Sequence, residues 1–560
     1  MKRKVLAVLL AASMTLSMAA CGSSSSTSSS SSGTESTAET EEVEDTTYAD
    51  DTADAGITNE NADADAENVQ HDVINVAIEA DPGDLSPFGP NNTGRTAMLE
   101  CIYQTLGYSV NGEIIGVLMQ DWEIVESDEG SYMDITLYDY IYDSAGNNLT
   151  ASDVVFSYDK AIEIGNVSGL GFIKNMEVLD TYQVRVNFNT VLYVYDVETM
   201  LDNLYIVTQA AYEASEDGMV TTPVSTAPYQ VTDYVAGYII TCEAVDNYWQ
   251  TDESLIYERD YANVDTINYY ILTESTQRTL ALQSGEVDMC WSVKSEDVDS
   301  LASTGDYWVY QAADNLVKQI FCNCDESHET ADVNLRKAIY YAINSDIILQ
   351  SAFGGVGIIC HDTAAPKAPD YLDAWDEEDN YYQFDLEKAQ EYLDAWGGDP
   401  SSLNLVILCS NDEADAAIAQ LVQGFIGQIG ITSTILSVDS ATTSTYSNDP
   451  SQWDIFIGGK ATGNYVTTSW KNCFSQTFFS WGGSMNFVYD DELESLLTTA
   501  RLLATHNDET VDAVHQYIVE NAYGYGSINL VNNYILPSCI SYVSCSYKGA
   551  VMPGGCTYTE

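Results

Sequence analysis

The stretch AAIAQLVQGFIGQIGI, residues 416–431, constrains the fold of this chain more than any other part of the sequence. Its apolar residues recur every three or four positions, which predicts an amphipathic helix with one buried face. Gly430 is the expected stop of that helix, and a predicted strand from Ile431 to Val438 follows directly. A helix, a glycine and a strand in immediate succession are typical of a crossover between strands, so the sequence predicts an α/β protein rather than a helical bundle.

Short stretches of period two alternate with further amphipathic helices along the chain. Alternating apolar residues predict three half-buried strands, namely Ile74, Val76 and Ile78, then Met133, Ile135 and Leu137, then Val184, Val186 and Phe188. Two more helices are predicted, one in ADVNLRKAIYYAINSD with Asp332 as its N-cap and one between Asp385 and Gly397. This mixture supports a mixed α/β architecture.

The start of the chain has the features of a lipoprotein leader. A basic start precedes an apolar stretch, residues 5–20, of about 16 residues, whereas a membrane span needs about 20. The sequence MAAC that ends at Cys21 is similar to a bacterial lipobox, with Met18 where Leu is usual. We therefore expect residues 1–20 to be a signal peptide and Cys21 to carry lipid. The alternatives are a chance cysteine in an ordinary signal peptide and an uncleaved anchor.

The segment after Cys21 predicts a solvated tether. Residues 22–70 are Ser, Thr, Ala, Asp and Glu with almost no large apolar side chains, so they cannot bury enough surface to offset their conformational entropy. The body, residues 71–560, is long enough for two or three cores. The chain has 19 basic and 86 acidic residues, and this charge excludes nucleic acid as a partner and repels anionic membrane surfaces.

No enzyme motif emerges from the sequence. It has no Gly-x-Ser-x-Gly elbow and no His-Glu-x-x-His, and in FIGGKATG the position of the first Walker glycine is taken by Asp454. Cys322, Cys324 and His328 form the one cluster that could suggest a metal, and a chance grouping explains it more simply. We expect no catalytic activity, no metal and no cofactor. An extracytoplasmic setting permits disulfides, whose pairing the sequence does not specify.

Several stretches, taken in order, resemble one family. They are IEADPGDLSPF, LMQDWEIVES, STAPYQVTDYVAGYIITCEAVDNYW, VDTINYYILTESTQRTLALQSGEVDM, DVNLRKAIYYAINSDIIL and FDLEKAQEYLDAWG. The chain resembles the extracytoplasmic solute-binding proteins of family 5, which include the oligopeptide- and dipeptide-binding lipoproteins of ABC importers. The matches extend over nearly the whole body. The chain departs from the family pattern at scaffold positions. For example, LYDYIYDSAGN stands where the family has a hairpin that bears Arg and His.

The resemblance implies a two-lobed periplasmic-binding-protein fold, of the Venus flytrap type, with an extra lobe inserted in the first lobe. The first lobe would comprise residues 71–108, 205–318 and 526–560. The inserted lobe would be residues 109–204 and the second lobe residues 319–525.

The resemblance also suggests where ligand would bind. Peptide-binding members commonly place an Asp just after the strand that resembles WDIFIGG, where it pairs with the ligand's α-amino group, and here no carboxylate follows between residues 460 and 470. Aromatic walls with a few polar groups suit such a cleft, although each aromatic residue could equally belong to the core. The candidate ligand-binding residues are Lys460, Asn464, Tyr465, Trp470, Trp481, Ser86 and Phe88. We expect Trp470→Ala to weaken ligand binding with little loss of stability.

The function implied is that of a lipid-anchored receptor on the outer face of the cell membrane. It would capture a small solute, with peptide as the first choice, by hinge closure and deliver it to an ABC permease with its ATPase subunits. We expect a monomer, held at the membrane through Cys21. The alternative is a solute sensor or adhesion lipoprotein that has kept the fold without transport.

Overall fold

The computed structural model describes residues 56–59, 68–69, 71–90, 95–110, 112–126, 130–167, 169–189, 191–291, 293, 295–377, 380–461, 465–477, 484–545 and 551–559. The predicted signal peptide, Cys21 and most of the predicted tether therefore lie outside the described residues. Within the described part of the chain, no helix is both long enough and apolar enough to cross a membrane.

The strands, in chain order, are β1 (Gly56–Thr58), β2 (Asn68–Val69), β3 (Val73–Ile78), β4 (Gly107–Val110), β5 (Glu113–Gly116), β6 (Met119–Val125), β7 (Tyr132–Leu137), β8 (Ile173–Asp180), β9 (Gln183–Phe188), β10 (Tyr229–Val235), β11 (Ile239–Ala244), β12 (Thr266–Ile271), β13 (Met289–Cys290), β14 (Tyr307–Cys322), β15 (Ile358–Ile359), β16 (Asn404–Ser410), β17 (Thr432–Val438), β18 (Ile455–Ala461), β19 (Tyr525–Pro537), β20 (Ile540–Cys545) and β21 (Val551–Thr559).

The helices are α1 (Arg95–Ile102), α2 (Ala151–Ile164), α3 (Val194–Asn203), α4 (Gln209–Ala214), α5 (Ser275–Ser284), α6 (Ser295–Ala302), α7 (Val333–Ala342), α8 (Ser345–Ala352), α9 (Leu386–Trp396), α10 (Glu413–Gln428), α11 (Ser440–Ser447), α12 (Val466–Phe474), α13 (Asp491–Arg501) and α14 (Asp508–Glu520).

Most of the strands join one large mixed sheet with the order β10-β11-β12-β3-β13-β19-β14-β18-β16-β17, and β15 pairs with β19 beside this path. We call the half built on β3 and β10–β13 the first lobe, and the half built on β16–β18 the second lobe. The predicted crossover is confirmed, because α10 connects β16 to β17 and these two strands are parallel. Gly430 follows the end of α10 with a φ of 85°, a conformation that glycine adopts without a steric penalty.

Two long strands, β14 and β19, connect the lobes. Their first-lobe parts pair from Tyr307 opposite Pro537 to Ala313 opposite Val531, and their second-lobe parts pair from Val317 opposite Asn529 onward. The register shifts between these two parts, and such an irregularity bends a strand locally. The two-lobed α/β fold expected from the sequence is thus confirmed, with an irregular strand pair at the connection.

A separate antiparallel sheet, β6-β7-β9-β8, carries α2 and is followed by α3. We call this sheet, its two helices and the hairpin β4-β5 the inserted lobe. Its apolar side chains, such as Ile135 and Val186, belong to the same buried cluster as Ile74 and Ile267 of the first lobe. The inserted lobe is therefore packed on the first lobe through a continuous core.

The second lobe has two buried clusters of its own. One packs α7, α9 and α10 against β16 and includes Leu335, Ile339 and Ile407. The other contains three tryptophans, Trp375, Trp453 and Trp470. The predicted caps are confirmed here, since Asp332 accepts a hydrogen bond from the Asn334 amide at 2.8 Å at the start of α7.

Candidate functional site

Tyr465 lies where the second lobe meets the inserted lobe. It is the N-cap residue of α12, a few residues after β18, and only 7% of its surface is exposed. The turn at Gly112, between β4 and β5, packs so closely on it that a Cβ added there would lie 3.4 Å from the phenolic oxygen. Burial, and then the adjacent carboxylate of Glu198, raise the pKa of the Tyr465 phenol well above its ordinary value. The phenol is therefore a neutral hydrogen-bond donor.

Glu198 joins three parts of this interface. It lies on α3 with 5% of its surface exposed, and its carboxylate accepts hydrogen bonds from the hydroxyls of Tyr465 and Ser109. Ser109 belongs to β4. A buried carboxylate is costly unless donors surround it, so these hydroxyl contacts fix the position of Tyr465 against the inserted lobe.

Asp370 holds the start of α12 from the other side. Its carboxylate accepts hydrogen bonds from the amide of Val466 at 2.6 Å and from the amide and hydroxyl of Thr467 at 3.2 and 3.0 Å. Burial raises the pKa of Asp370, and the two amides and then the nearby His506 act against that rise. The helix that begins at the interface is thus anchored by a side chain of the second lobe.

A second contact between the same two lobes surrounds Arg501, at the end of α13. Its guanidinium lies over the rings of Tyr193 and Tyr195, which precede and begin α3. The amide of Leu503 donates to the carbonyl of Leu192 at 2.9 Å. Cation–π and backbone contacts therefore close this edge in the present conformation.

The structure places the predicted ligand residues in different surroundings. Trp470 is fully buried and its indole N–H donates to Asp362 Oδ1 at 2.7 Å. Phe88 is also fully buried, 5.6 Å from the ring of Tyr212. Ser86 is buried in the same turn, where Asp84 accepts its amide hydrogen at 2.7 Å.

The side chains of three further predicted residues are not among those that the structure describes. Asn464 and Trp481 lie outside the described residues, and Lys460 is described only as a backbone position in β18. Tyr465 is thus the predicted residue that the structure places at the contact between lobes. The sequence analysis missed Glu198, Asp370 and Arg501, because each is one acid or base among many, and only tertiary contact distinguishes it.

A buried histidine–aspartate pair in the second lobe has the appearance of a catalytic pair. His515 Nδ1 lies 2.7 Å from Asp362 Oδ2, and the His515 ring stacks on Trp375 with centroids 4.5 Å apart. Its Nε2 faces the carbonyl of Asn380 at 3.0 Å, where a Ser–His–Asp triad would place a nucleophile. A backbone carbonyl thus occupies the nucleophile's position, and the contacts of Asp362 and His515 link buried residues in the core of the second lobe.

The cysteines and the cluster at His328 also have structural roles. Among the described residues, the eleven cysteines from Cys101 onward form no disulfide, and most are buried. His328 Nδ1 contacts Asp454 Oδ1 at 2.7 Å, while the Cys324 thiol donates to the Cys322 carbonyl at 3.5 Å. Among the described residues, no group of three or more His, Cys, Asp and Glu side chains has the arrangement of a metal site.

Known proteins share both sequence and fold with this chain. Residues 113–483 match the family model described as bacterial extracellular solute-binding proteins, family 5 Middle. The glutathione-binding protein GsiB of Salmonella paratyphi A is 23% identical over 375 residues, which cover 66% of this chain and 70% of the relative.

Among solved structures, HbpA2 from Haemophilus parasuis has a TM-score of 0.75 at 19% identity and covers 87% of this chain and 100% of its own. The oligopeptide-binding protein AppA of Bacillus subtilis, solved with a nonapeptide, has a TM-score of 0.62 at 16% identity, covering 88% of this chain and 100% of its own. These likenesses agree with the two-lobed fold. The family match extends over more than half of the chain, from the inserted lobe into the second lobe, and the protein therefore belongs to the bacterial extracellular solute-binding proteins, family 5.

Proposed function

We propose that this protein is the substrate-binding receptor of an ABC import system, which captures a peptide or a similar solute between its lobes and delivers it to a membrane permease. The observation that carries the proposal is the double connection between lobes. The irregular pair β14–β19 joins the first and second lobes, and the contacts of Tyr465 and Arg501 join the second lobe to the inserted lobe, which packs on the first. A ligand that touches both lobes would stabilise this closed arrangement by its differential contacts.

Peptide is the proposed ligand class. A relative is named for binding glutathione, which is itself a tripeptide, and a solved structure of the same fold holds a nonapeptide. Tyr465 is the first proposed contact, and its position beside Glu198 of the inserted lobe supports this choice. Lys460, Asn464 and Trp481 belong to the same proposed site by their place in the sequence near β18 and α12.

The membrane anchor, the lobe boundaries and the oligomeric state are proposed from the sequence. We propose that lipid on Cys21 anchors the protein to the outer face of the cell membrane, and that the acidic tether, predicted as residues 22–70, separates the folded body from the bilayer. The end of that segment belongs to the body, because β1 pairs with β20 and β2 pairs with β21. The proposed lobe boundaries are those given above, with the inserted lobe at residues 109–204. The protein would act as a monomer without cofactor or catalytic activity.

Isothermal titration of the purified protein with glutathione, unmodified peptides of two to six residues, sugars and cationic metabolites tests this proposal. We expect at least one peptide to bind, and Tyr465→Ala to weaken that binding about tenfold or more, the range of a buried aromatic contact. Tyr238→Ala is the matched control, because Tyr238 is 59% exposed on the turn after β10 and should leave affinity unchanged.

Each other outcome has a definite meaning. Binding of a sugar or metabolite without any peptide would contradict the peptide assignment but keep the receptor. If protein shown by mass spectrometry to be ligand-free bound none of the compounds, the import proposal would be wrong and the sensor or adhesion alternative would gain support.

A further inference from the structure

The first lobe contains a cavity that lies apart from the contact between lobes. Its volume is about 520 Å³, which is within the range of small-molecule sites. It lies between the segment that follows β11, two short 3₁₀ turns (Glu253–Leu255 and Glu258–Asp260) and the strands β20 and β21. All of its lining residues come from positions 228–263 and 542–557, so its shape does not depend on lobe closure. We call it the Tyr248 cavity.

Three tyrosines form much of the wall of this cavity. They are Tyr248, Tyr261 and Tyr542, and each is half-buried. The Tyr248 oxygen accepts a hydrogen bond from Gln104 Nε2 at 2.7 Å, and the Tyr542 hydroxyl donates to Glu258. Burial raises the pKa of Tyr261, and the carboxylates of Glu258 and Glu253 raise it further. The three phenols of the wall are thus uncharged.

Two carboxylates line the cavity. Asp260 lines it with 4% of its surface exposed, and its oxygens accept hydrogen bonds from Gln104 Nε2 at 3.0 Å and from Tyr108 Oη at 3.0 and 3.1 Å. These bonds hold the Asp260 carboxylate in one orientation. Glu253 also lines the cavity and is exposed to solvent.

The neighbouring base, Arg259, is held by backbone carbonyls and an aromatic ring. Arg259 is buried, with its Nη2 donating to the carbonyls of Glu100 and Tyr103 at 2.9 and 3.3 Å, and its guanidinium lies 4.2 Å from the ring centroid of Tyr108. Its Nε is 4.0 Å from Asp260 Oδ1, so it balances the charge of Asp260. Glu253 adds a further negative charge to the wall.

We propose that the Tyr248 cavity is a binding site for a small organic cation with an ammonium head group. Tyrosine rings attract such a cation through their negative faces, and Glu253 supplies charge complementarity from the wall. A cation with methyl substituents also gains from contact with the apolar part of the wall, which includes Pro228, Val245 and Ile256. This proposal is independent of the import function proposed above.

Choline is the probe, because 3,3-dimethylbutan-1-ol is its neutral isostere. We expect choline to bind the purified protein in titration calorimetry with millimolar or tighter affinity, and the neutral isostere to show no binding at about 10 mM. Binding should weaken as salt is added, because salt screens an exposed carboxylate. Glu253→Gln and Tyr261→Leu should each weaken choline binding about fivefold.

Two control variants locate the site. Glu286→Gln removes an exposed carboxylate of the first lobe that does not line the cavity, and Tyr465→Ala alters the contact between lobes. Both should leave choline affinity unchanged. The proposal is overturned if choline does not bind, if its neutral isostere binds equally well, if Glu253→Gln behaves like Glu286→Gln, or if Tyr465→Ala alone abolishes binding.

Discussion

The guanidinium carbon of Arg501 lies 4.3 Å from the ring centroid of Tyr193, and these two residues belong to different lobes. The ring of Tyr195 lies on the same cation at 5.6 Å. Arg501 is buried at 8% exposure, so the attraction acts with little screening by water. This contact belongs to one relative position of the lobes and is lost if they separate.

Arg501→Gln should therefore shift the protein toward an open arrangement. A cation–π contact of about 1 kcal/mol corresponds to about a fivefold change in the ratio of closed to open molecules. Small-angle X-ray scattering should report a larger radius of gyration for the variant. Arg185→Gln is the matched control, because Arg185 lies 3.9 Å from the ring of Tyr132 within the inserted lobe. Equal radii for both variants would contradict a role of Arg501 in lobe contact.

Trp470 gives a prediction opposite to the one made from the sequence. Its ring is fully buried and its indole donates to Asp362, which also contacts His515. We expect Trp470→Ala to lower the free energy of unfolding by about 3–5 kcal/mol, the usual cost of removing a buried tryptophan. Urea denaturation measures this loss. Near-native stability together with weakened peptide binding would show instead that Trp470 contacts ligand.

Gly526 lies in β19 against the backbone of the loop that carries Asp362. A Cβ added at Gly526 would lie 1.6 Å from the Asp362 carbonyl oxygen, so one of the two backbones must move. We expect Gly526→Ala to destabilise the protein by about 1–3 kcal/mol or more. Gly424→Ala is the control, because Gly424 is exposed in α10 with no atom near its added Cβ, and alanine there should stabilise the helix by about 0.5–1 kcal/mol. Urea denaturation of both variants measures this difference in stability. Equal stability of the two variants would contradict the crowding at Gly526.

The elements predicted from periodicity agree with the structure because periodicity is a local property. The pattern of α10 and the stop near Gly430 are readable from neighbouring residues alone. The contact between Tyr465 and Glu198 is different, since it joins residues far apart in the chain, and nothing near either one indicates the other. Phe88 shows the same limit, because an aromatic residue near a turn is compatible with a pocket and with the core.

Cys21 is the residue on which the proposed membrane anchor depends. In a bacterial host fed a radioactive fatty acid, we expect the wild-type protein to carry label and to sediment with membranes. Cys21→Ser should abolish the label, since serine offers no thiol to alkylate. Cys539→Ser is the matched control, because Cys539 is an exposed cysteine of the folded body. Unchanged labelling of Cys21→Ser would contradict lipidation at this position.

The ionisation of Asp490 should make the stability of the fold depend on pH. Its Oδ1 accepts hydrogen bonds from the amides of Glu492 and Leu493 at the start of α13, at 2.9 and 3.1 Å. Its Oδ2 accepts hydrogen bonds from the hydroxyls of Tyr517 and Tyr523 at 2.9 and 2.7 Å. Burial acts to raise the pKa of Asp490, but these hydrogen bonds to the charged form outweigh it, and the net pKa is lowered.

Because the folded pKa of Asp490 is below that of the unfolded chain, which is about 3.9, its charge stabilises the fold above that value. This contribution is lost as the pH falls through the folded pKa. Asn caps helices as well as Asp, so Asp490→Asn keeps the cap but removes the charge and the oxygen that accepts the two tyrosine hydroxyls, and it should cost about 1–2 kcal/mol at neutral pH. Urea denaturation should show this difference from wild type shrinking below about pH 4. Asp385→Asn, at the N-cap of α9, should cost less at neutral pH, because the hydrogen bonds described for Asp385 come from backbone amides. A difference for Asp490→Asn that stayed constant down to pH values below the folded pKa would show that its charge does not contribute.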